Sequence, residues 1–105
     1  VSDDATIARG EALAALVKLR KEEAEANAEL AKATKALADA RSKKKEAETR
    51  LSALEQQSPA APRKQRRAAR ADVAEWTGEI EVRQKAVDKA DKQSKLFVDR
   101  IYDAH

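Results

Sequence analysis

The chain has 105 residues, of which 39% are charged and only 3% aromatic, and its 22 basic residues are nearly balanced by 19 acidic ones. It contains two glycines, no cysteine and a single histidine at the last position. This composition is typical of long helices and coiled coils, and it excludes disulfides, thiolate metal sites, His-based catalytic triads and zinc clusters. We therefore expect a non-enzymatic chain without a metal or a cofactor.

The first predicted element is a long helix from about Ala5 to Gln57. The SDD cluster at residues 2–4 is expected to cap it and to place negative charge at the positive end of the helix dipole. Pro59 and Pro62 then end the helix, because proline lacks a backbone N–H and restricts the residue before it. A turn over residues 58–63 and a second helix over about 64–104 complete a single helical hairpin spanning residues 1–105.

Both helices carry apolar residues at the alternating spacing of four and three that marks a coiled coil. We call these positions the seam. On helix 1 the seam consists of Ala12, Leu16, Leu19, Glu23, Ala26, Leu30, Ala33, Leu37, Ala40, Lys44, Ala47, Leu51 and Leu54. On helix 2 it consists of Ala69, Val73, Trp76, Ile80, Arg83, Val87, Ala90, Ser94, Phe97, Ile101 and Ala104. The pattern predicts an all-α, antiparallel two-helix coiled-coil hairpin with a Leu/Ala seam, in which the charged interruptions set the register.

Folding back at the prolines pairs residues whose numbers sum to roughly 123 or 124, since both helices rise equally per residue. Leu37 then meets Val87. The two largest rings, Trp76 and Phe97, fall opposite the small Ala47 and Ala26. Large residues opposite small ones fill a seam without voids.

This register leaves residues 1–18, which we call the overhang, without a partner in helix 2. The overhang and its boundary hold the densest apolar cluster of the chain, and contiguous exposed apolar residues mark interfaces. Three explanations remain open: a second copy covers the cluster in a dimer or four-helix arrangement, a different protein docks there, or helix 2 continues in a longer protein. The predicted docking or self-association residues are Ile7, Leu13, Leu16, Val17 and Leu19.

Five basic residues cluster at the hairpin turn, and we call them the basic tip: Arg63, Lys64, Arg66, Arg67 and Arg70. Arginine forks suit phosphates and carboxylates, so the tip is a candidate site for nucleic acid, an acidic protein or an anionic membrane surface. The simpler interpretation is a solvated turn, partly neutralised by Asp72, Glu75 and Glu79. No recognised nucleic-acid fold or interleaved aromatic residue accompanies the cluster, so we favour a protein partner or a homodimer over nucleic acid.

The longest apolar run, ALAALV at residues 12–17, is far too short to span a membrane and does not resemble a signal peptide. We expect no integral membrane segment, and we expect a cytoplasmic protein.

The first arm, EALAALVKLRKEEAEANAELAKATKALADARSKKKEAETRLSAL at residues 11–54, resembles the opening helix of the FliJ/YscO family. These are small coiled-coil hairpins of bacterial flagellar and type III secretion systems. The resemblance implies a stalk that contacts the export ATPase ring and escorts chaperones. The Lys/Ala/Asp-rich arms are also similar to the receptor-binding hairpins of colicin-like bacteriocins, whose tip engages a receptor. The expected function is accordingly that of a non-catalytic protein-interaction rod or adaptor in protein transport.

Overall fold

The computed structural model describes the backbone of residues 2–104 and the side chains of residues 4–102. Two α-helices account for nearly all of this range, α1 over Ser2–Gln56 and α2 over Arg63–Ala104, and no strand occurs within it. The predicted all-α helical hairpin is confirmed. Strong helix formers dominate both segments, and Gly10 and Gly78 are the sole glycines.

The largest difference from the predicted helix limits lies at the start of α1. The helix begins at Ser2, so the backbone of residues 2–4 belongs to its first turn. The prediction that the SDD cluster precedes the helix as its cap is therefore wrong, while Val1 lies outside the described residues. Acidic residues are favourable in a first helical turn, which explains why the helix extends over Asp3 and Asp4.

The connection between the helices covers residues 57–62, close to the predicted turn. The carbonyl oxygen of Pro62 accepts hydrogen bonds from the backbone N–H groups of Gln65 at 3.0 Å and Arg66 at 3.2 Å. Pro62 thus directly precedes α2 and accepts the first hydrogen bonds of the helix, at a position where a missing N–H costs little. Arg66 Nε also donates to the carbonyl oxygen of Ala61 at 3.1 Å, and Ala61 itself is buried.

The hairpin divides into two compact units. One, the turn unit, covers residues 33–87 and includes the connection. The other, the terminal unit, combines the N-terminal part of α1 up to Lys32 with the C-terminal part of α2 from Asp88. Each unit is an antiparallel pair of helical segments with its own share of the seam.

The seam of the turn unit is built on small residues from both helices. Ala40, Ala47 and Ala69 are buried, together with Leu37, while Trp76 is half-buried. Contacts across the seam join Arg50 to Asp72, whose numbers sum to 122, and Arg70 to Glu55, whose numbers sum to 125. These sums bracket the predicted 123 or 124.

Arg83 occupies a seam position of the turn unit and has partners on all sides. Its Nε donates to Glu79 Oε1 at 2.8 Å, and its Nη1 donates across the seam to the carbonyl oxygen of Ala36 at 2.6 Å. Its guanidinium also lies 5.9 Å from the centroid of the Trp76 ring. A directed hydrogen bond to one backbone oxygen of α1 specifies one alignment of the helices, as expected for a polar seam residue.

In the terminal unit, a pair of polar side chains makes the directed contact across the seam that Arg83 makes in the turn unit. The Ser94 hydroxyl, in a residue only 8% exposed, donates to the side-chain oxygen of Asn27, and the two numbers sum to 121. Ala26 is buried and Phe97 half-buried, as the pairing of small with large residues predicts. The side chain of Ala104, the last predicted seam residue, lies outside the described range.

Among residues 4–102, no large side chain is fully buried. In a pair of helices, each helix covers only one side of the other. Small alanine side chains are therefore buried in the seam, whereas larger seam side chains remain partly exposed to solvent. A hairpin of this kind retains apolar surface that a further helix or partner could cover.

Candidate interaction surfaces

The structure separates the five predicted docking residues into two groups. Ile7, Leu13 and Val17 are 59%, 63% and 66% exposed. Leu16 and Leu19 are half-buried, because they lie in the seam of the hairpin itself. All residues from 4 to 15 are exposed, so this part of the overhang has no cover from α2.

Three further apolar side chains of the terminal unit are exposed, and they belong to α2. Leu96, Val98 and Tyr102 are 55%, 50% and 80% exposed. Six of the seven exposed large apolar residues among the described side chains therefore lie in this unit, Val82 being the seventh. The seam pattern does not include these residues, although the four-residue spacing of Val98 and Tyr102 is a signal of a second apolar stripe on α2.

Most of these residues fall on one side of the terminal unit. A residue that directly follows a seam position is rotated by about 100° from it, so all such residues lie on the same flank of their helix. We define the flank face as the six exposed apolar residues that each directly follow a seam residue: Leu13, Val17, Ala24 and Ala31 on α1, and Val98 and Tyr102 on α2. Exposed polar residues follow seam residues on the same flank, among them Arg20, Asn27 and Lys95.

The opposite side of the terminal unit shows which flank of α1 lies on the same side as which flank of α2. There an open groove of about 730 Å³ is lined by residues that directly precede seam positions, among them Glu22 and Glu29 of α1 and Gln93 and Arg100 of α2. The preceding flanks of the two antiparallel helices thus share one side. The flanks that follow the seam must share the other side, so the six residues of the flank face lie on one side of the terminal unit, interspersed with Arg20, Asn27 and Lys95.

Charge differs between the two sides. The groove carries Glu22, Glu25 and Glu29, opposed by Arg100, whose guanidinium lies 5.6 Å from the centroid of the Phe97 ring. On the same flank as the flank face, Lys95 Nζ lies 2.9 Å from Asp91 Oδ2. The hydrogen bond to Asp91, reinforced by its charge, raises the pKa of the Lys95 ammonium above its ordinary value.

The basic tip also separates into two groups. Arg66 is held by the carbonyl oxygen of Ala61, and Arg70 Nη2 lies 3.5 Å from Glu55 Oε1. Arg63, Lys64 and Arg67 are exposed. The first turn of α2, which includes Arg63 and Lys64, contains no acidic residue.

Within residues 4–102, no three carboxylate, imidazole or thiol groups converge to hold a metal ion. Neither helix, over its described length, contains a stretch long and apolar enough to cross a membrane. Comparison of the chain with protein-family models, curated protein sequences and solved structures finds no match.

Proposed function

We propose that this chain is a non-catalytic helical hairpin that binds a protein partner through the flank face of its terminal unit. The observation that carries the proposal is the concentration of exposed large apolar side chains in one unit, four of them on one face. Apolar side chains scattered singly over a surface need no explanation, whereas a contiguous patch marks an interaction site. The seam residues are already buried between the two helices of the chain. The exposed apolar side chains of the flank face are therefore not needed to hold the hairpin together.

Within this class, the resemblance of residues 11–54 to FliJ/YscO hairpins suggests a specific role. We propose an adaptor of a bacterial secretion system, acting as a stalk or chaperone escort in protein transport. A receptor-binding hairpin of a bacteriocin-like protein is the alternative, and it differs in bringing the partner to the basic tip.

Site-specific photo-crosslinking in the native cell tests the proposal. A photo-reactive residue replaces Val17, on the flank face, or its neighbour Lys18, which precedes seam residue Leu19 and therefore lies on the other flank. We expect a crosslinked protein product from position 17 and little from position 18. Equal labelling at both positions, or none at either, would contradict a dedicated docking face. Labelling only from a photo-reactive residue at Arg67 would favour the receptor-binding alternative.

A second candidate function, binding of nucleic acid or an acidic partner, is supported by the three exposed cations of the basic tip. Cations near the start of a helix face the positive end of its dipole. Arg63 and Lys64 lie in the first turn of α2 and Arg67 directly follows that turn, so all three are placed where the dipole is unfavourable for a cation and where an anion is attracted. Binding of duplex or single-stranded DNA that weakens steeply from low to moderate salt would favour this function. If the basic tip has this function, the double variant Arg63→Ala with Arg67→Ala should also lose DNA binding.

A further inference from the structure

We propose that the open groove of the terminal unit, on the side opposite the flank face, binds a basic amphipathic helix of a partner protein. The groove has a volume of about 730 Å³ and lies between α1 and α2. Because the groove and the flank face lie on opposite sides, this inference goes beyond the proposed function and does not depend on it.

The bottom of the groove is apolar and partly open to solvent. Ala26 and Phe97 belong to the seam, yet the Phe97 ring is only half-buried. Next to it, Leu96 is 55% exposed, and the small Ala28 lies on the α1 side of the groove. Apolar side chains of a partner would remove this concave surface from water, so the occupant needs an apolar face.

The α1 wall of the groove is acidic and lacks internal neutralisation. It carries Glu22, Glu25 and Glu29, and none of them makes an ion pair with a described side chain. The single cation that lines the groove, Arg100, has its guanidinium over the Phe97 ring. Most carboxylates of the turn unit, by contrast, have a cation at 3.9 Å or less: Glu46, Glu48, Glu55, Asp72, Glu79 and Glu81. Charge complementarity therefore calls for a cationic occupant.

The spacing of the three glutamates matches that of a helix. Residues 22, 25 and 29 are three and four positions apart, so they form a row about 10 Å long on one side of α1. Lysine or arginine at the same spacing on a second helix forms an equally long row. A helix laid along the groove can thus place one cation beside each glutamate.

The state of the backbone favours a helix over an extended strand as the occupant. A strand binds by pairing its N–H and C=O groups with a free sheet edge, whereas the backbone on both sides of the groove is hydrogen-bonded within α1 and α2. A helix satisfies its own backbone and presents only side chains. It can therefore fill a groove between two other helices.

Lysines limit the acidic stretch at both ends. Lys18 and Lys32 are exposed and directly precede seam residues, on the same flank of α1 as the glutamates. They are about 14 residues and about 21 Å apart, and each repels a basic helix that extends past it. Lys18, the crosslinking control for the flank face, is not among the residues that line the groove.

Binding of a synthetic peptide to the full 105-residue chain tests the inference. The probe is a fluorescent peptide of about 14 residues with leucines on one helical face and lysines beside them at the spacing of the glutamates. We expect it to bind at low salt, to become helical on binding and to lose affinity as the salt concentration rises. The matched peptide with glutamate at each lysine position should bind at least about tenfold more weakly. Fluorescence anisotropy and circular dichroism measure these effects.

Neutralising the acidic wall tests whether the peptide lies in the groove. Glu25→Gln with Glu29→Gln should raise the dissociation constant of the lysine peptide roughly three- to tenfold at low salt. Asp39→Asn with Glu75→Gln changes the net charge equally at exposed positions outside the groove. This control should bind the peptide within about twofold of the wild type.

Truncating the apolar wall tests the same placement independently of charge. Leu96→Ala should raise the dissociation constant roughly three- to tenfold, because it removes apolar surface that the peptide covers. Val82→Ala is the matched control, since Val82 is also exposed on α2 and also directly precedes a seam residue. It should leave the affinity unchanged.

Three results would overturn the inference. The first is no binding of the lysine peptide at ~100 µM chain, where a micromolar complex would be mostly assembled. The second is equal binding of the glutamate peptide, which would show that the groove does not select charge. The third is a groove variant that binds like its control, which would place the peptide elsewhere. Failure of position 17 to crosslink would instead reject the proposed function and leave this inference intact.

Discussion

At the residue scale, the hairpin depends on alanine for close approach and on a few polar groups for alignment. Ala40 and Ala47 are buried in the seam of the turn unit. Small, similar residues of this kind do not by themselves restrict the pairing of the two helices to one register. Arg83 and the Ser94–Asn27 pair each make directed contacts that exist in one register only. We interpret these polar seam residues as determinants of pairing specificity more than of stability.

Substitutions at Arg83 test this interpretation. Arg83→Ala removes the hydrogen bond to the Ala36 carbonyl oxygen and the contact with Trp76, and we expect it to lower the free energy of unfolding by about 1–2 kcal/mol. Arg83→Leu keeps apolar volume in the seam, so its stability should stay within about 1 kcal/mol of the wild type. Urea denaturation followed by circular dichroism measures both values.

The control is Lys85→Ala, an exposed position of α2 whose ion pair with Glu81 has a 3.9 Å separation and contributes little. If Arg83→Ala proves as stable as Lys85→Ala, Arg83 does not make the contacts described here.

At the element scale, the start of α2 is electrostatically unfavourable. Arg63, Lys64 and Arg66 stand in its first turn, where the helix dipole is positive and no acidic residue compensates. Arg66 is held by the Ala61 carbonyl oxygen, but Arg63 and Lys64 are exposed. Their placement lowers the stability of the helix, which is the argument for a role of the basic tip outside folding.

Reversing these charges should stabilise the hairpin. We expect Arg63→Glu and Lys64→Glu each to raise the free energy of unfolding by about 0.3–1 kcal/mol at low ionic strength. Thermal unfolding at low salt and at about 1 M salt measures the effect, which should largely disappear at the higher concentration because surface charges are then screened. Lys89→Glu, in the middle of α2, is the control and should change stability less.

A destabilised Arg63→Glu variant at low salt would show that the first turn has anionic partners that the described contacts do not include.

At the scale of the whole molecule, the sequence predicted the fold because one pattern repeats along both helices. The seam residues, the proline turn and the register follow from spacing alone, and every predicted seam side chain within the described range except Ala12 is buried or half-buried. The cap of α1 was misplaced because the preferences of serine and aspartate for cap and first-turn positions are similar in strength.

The candidate surfaces were less predictable. The spacing already places Leu16 and Leu19 in the seam, yet the prediction grouped them with Leu13 and Val17 as one docking surface. The structure separates them, since the first two are half-buried and the last two are exposed. Val98 and Tyr102 contribute to the same face from the other helix. The predicted register pairs the seam positions, but it does not by itself show which flanks of the two helices share a side. The identity of the proposed partner depends on a second molecule and does not follow from the local sequence pattern.

The central claim is that each chain closes its own seam by doubling back, which leaves the flank face for a partner. Spin labels at Thr49→Cys and Ala74→Cys test this directly, since both positions are exposed, lie in the turn unit and are opposite each other, and the chain has no native cysteine. Helices that touch have axes about 8–10 Å apart, so we predict a label distance below about 25 Å that persists after dilution with unlabelled chain. A distance near the ~38 Å of one continuous helix, or a short distance that disappears on dilution, would contradict the account.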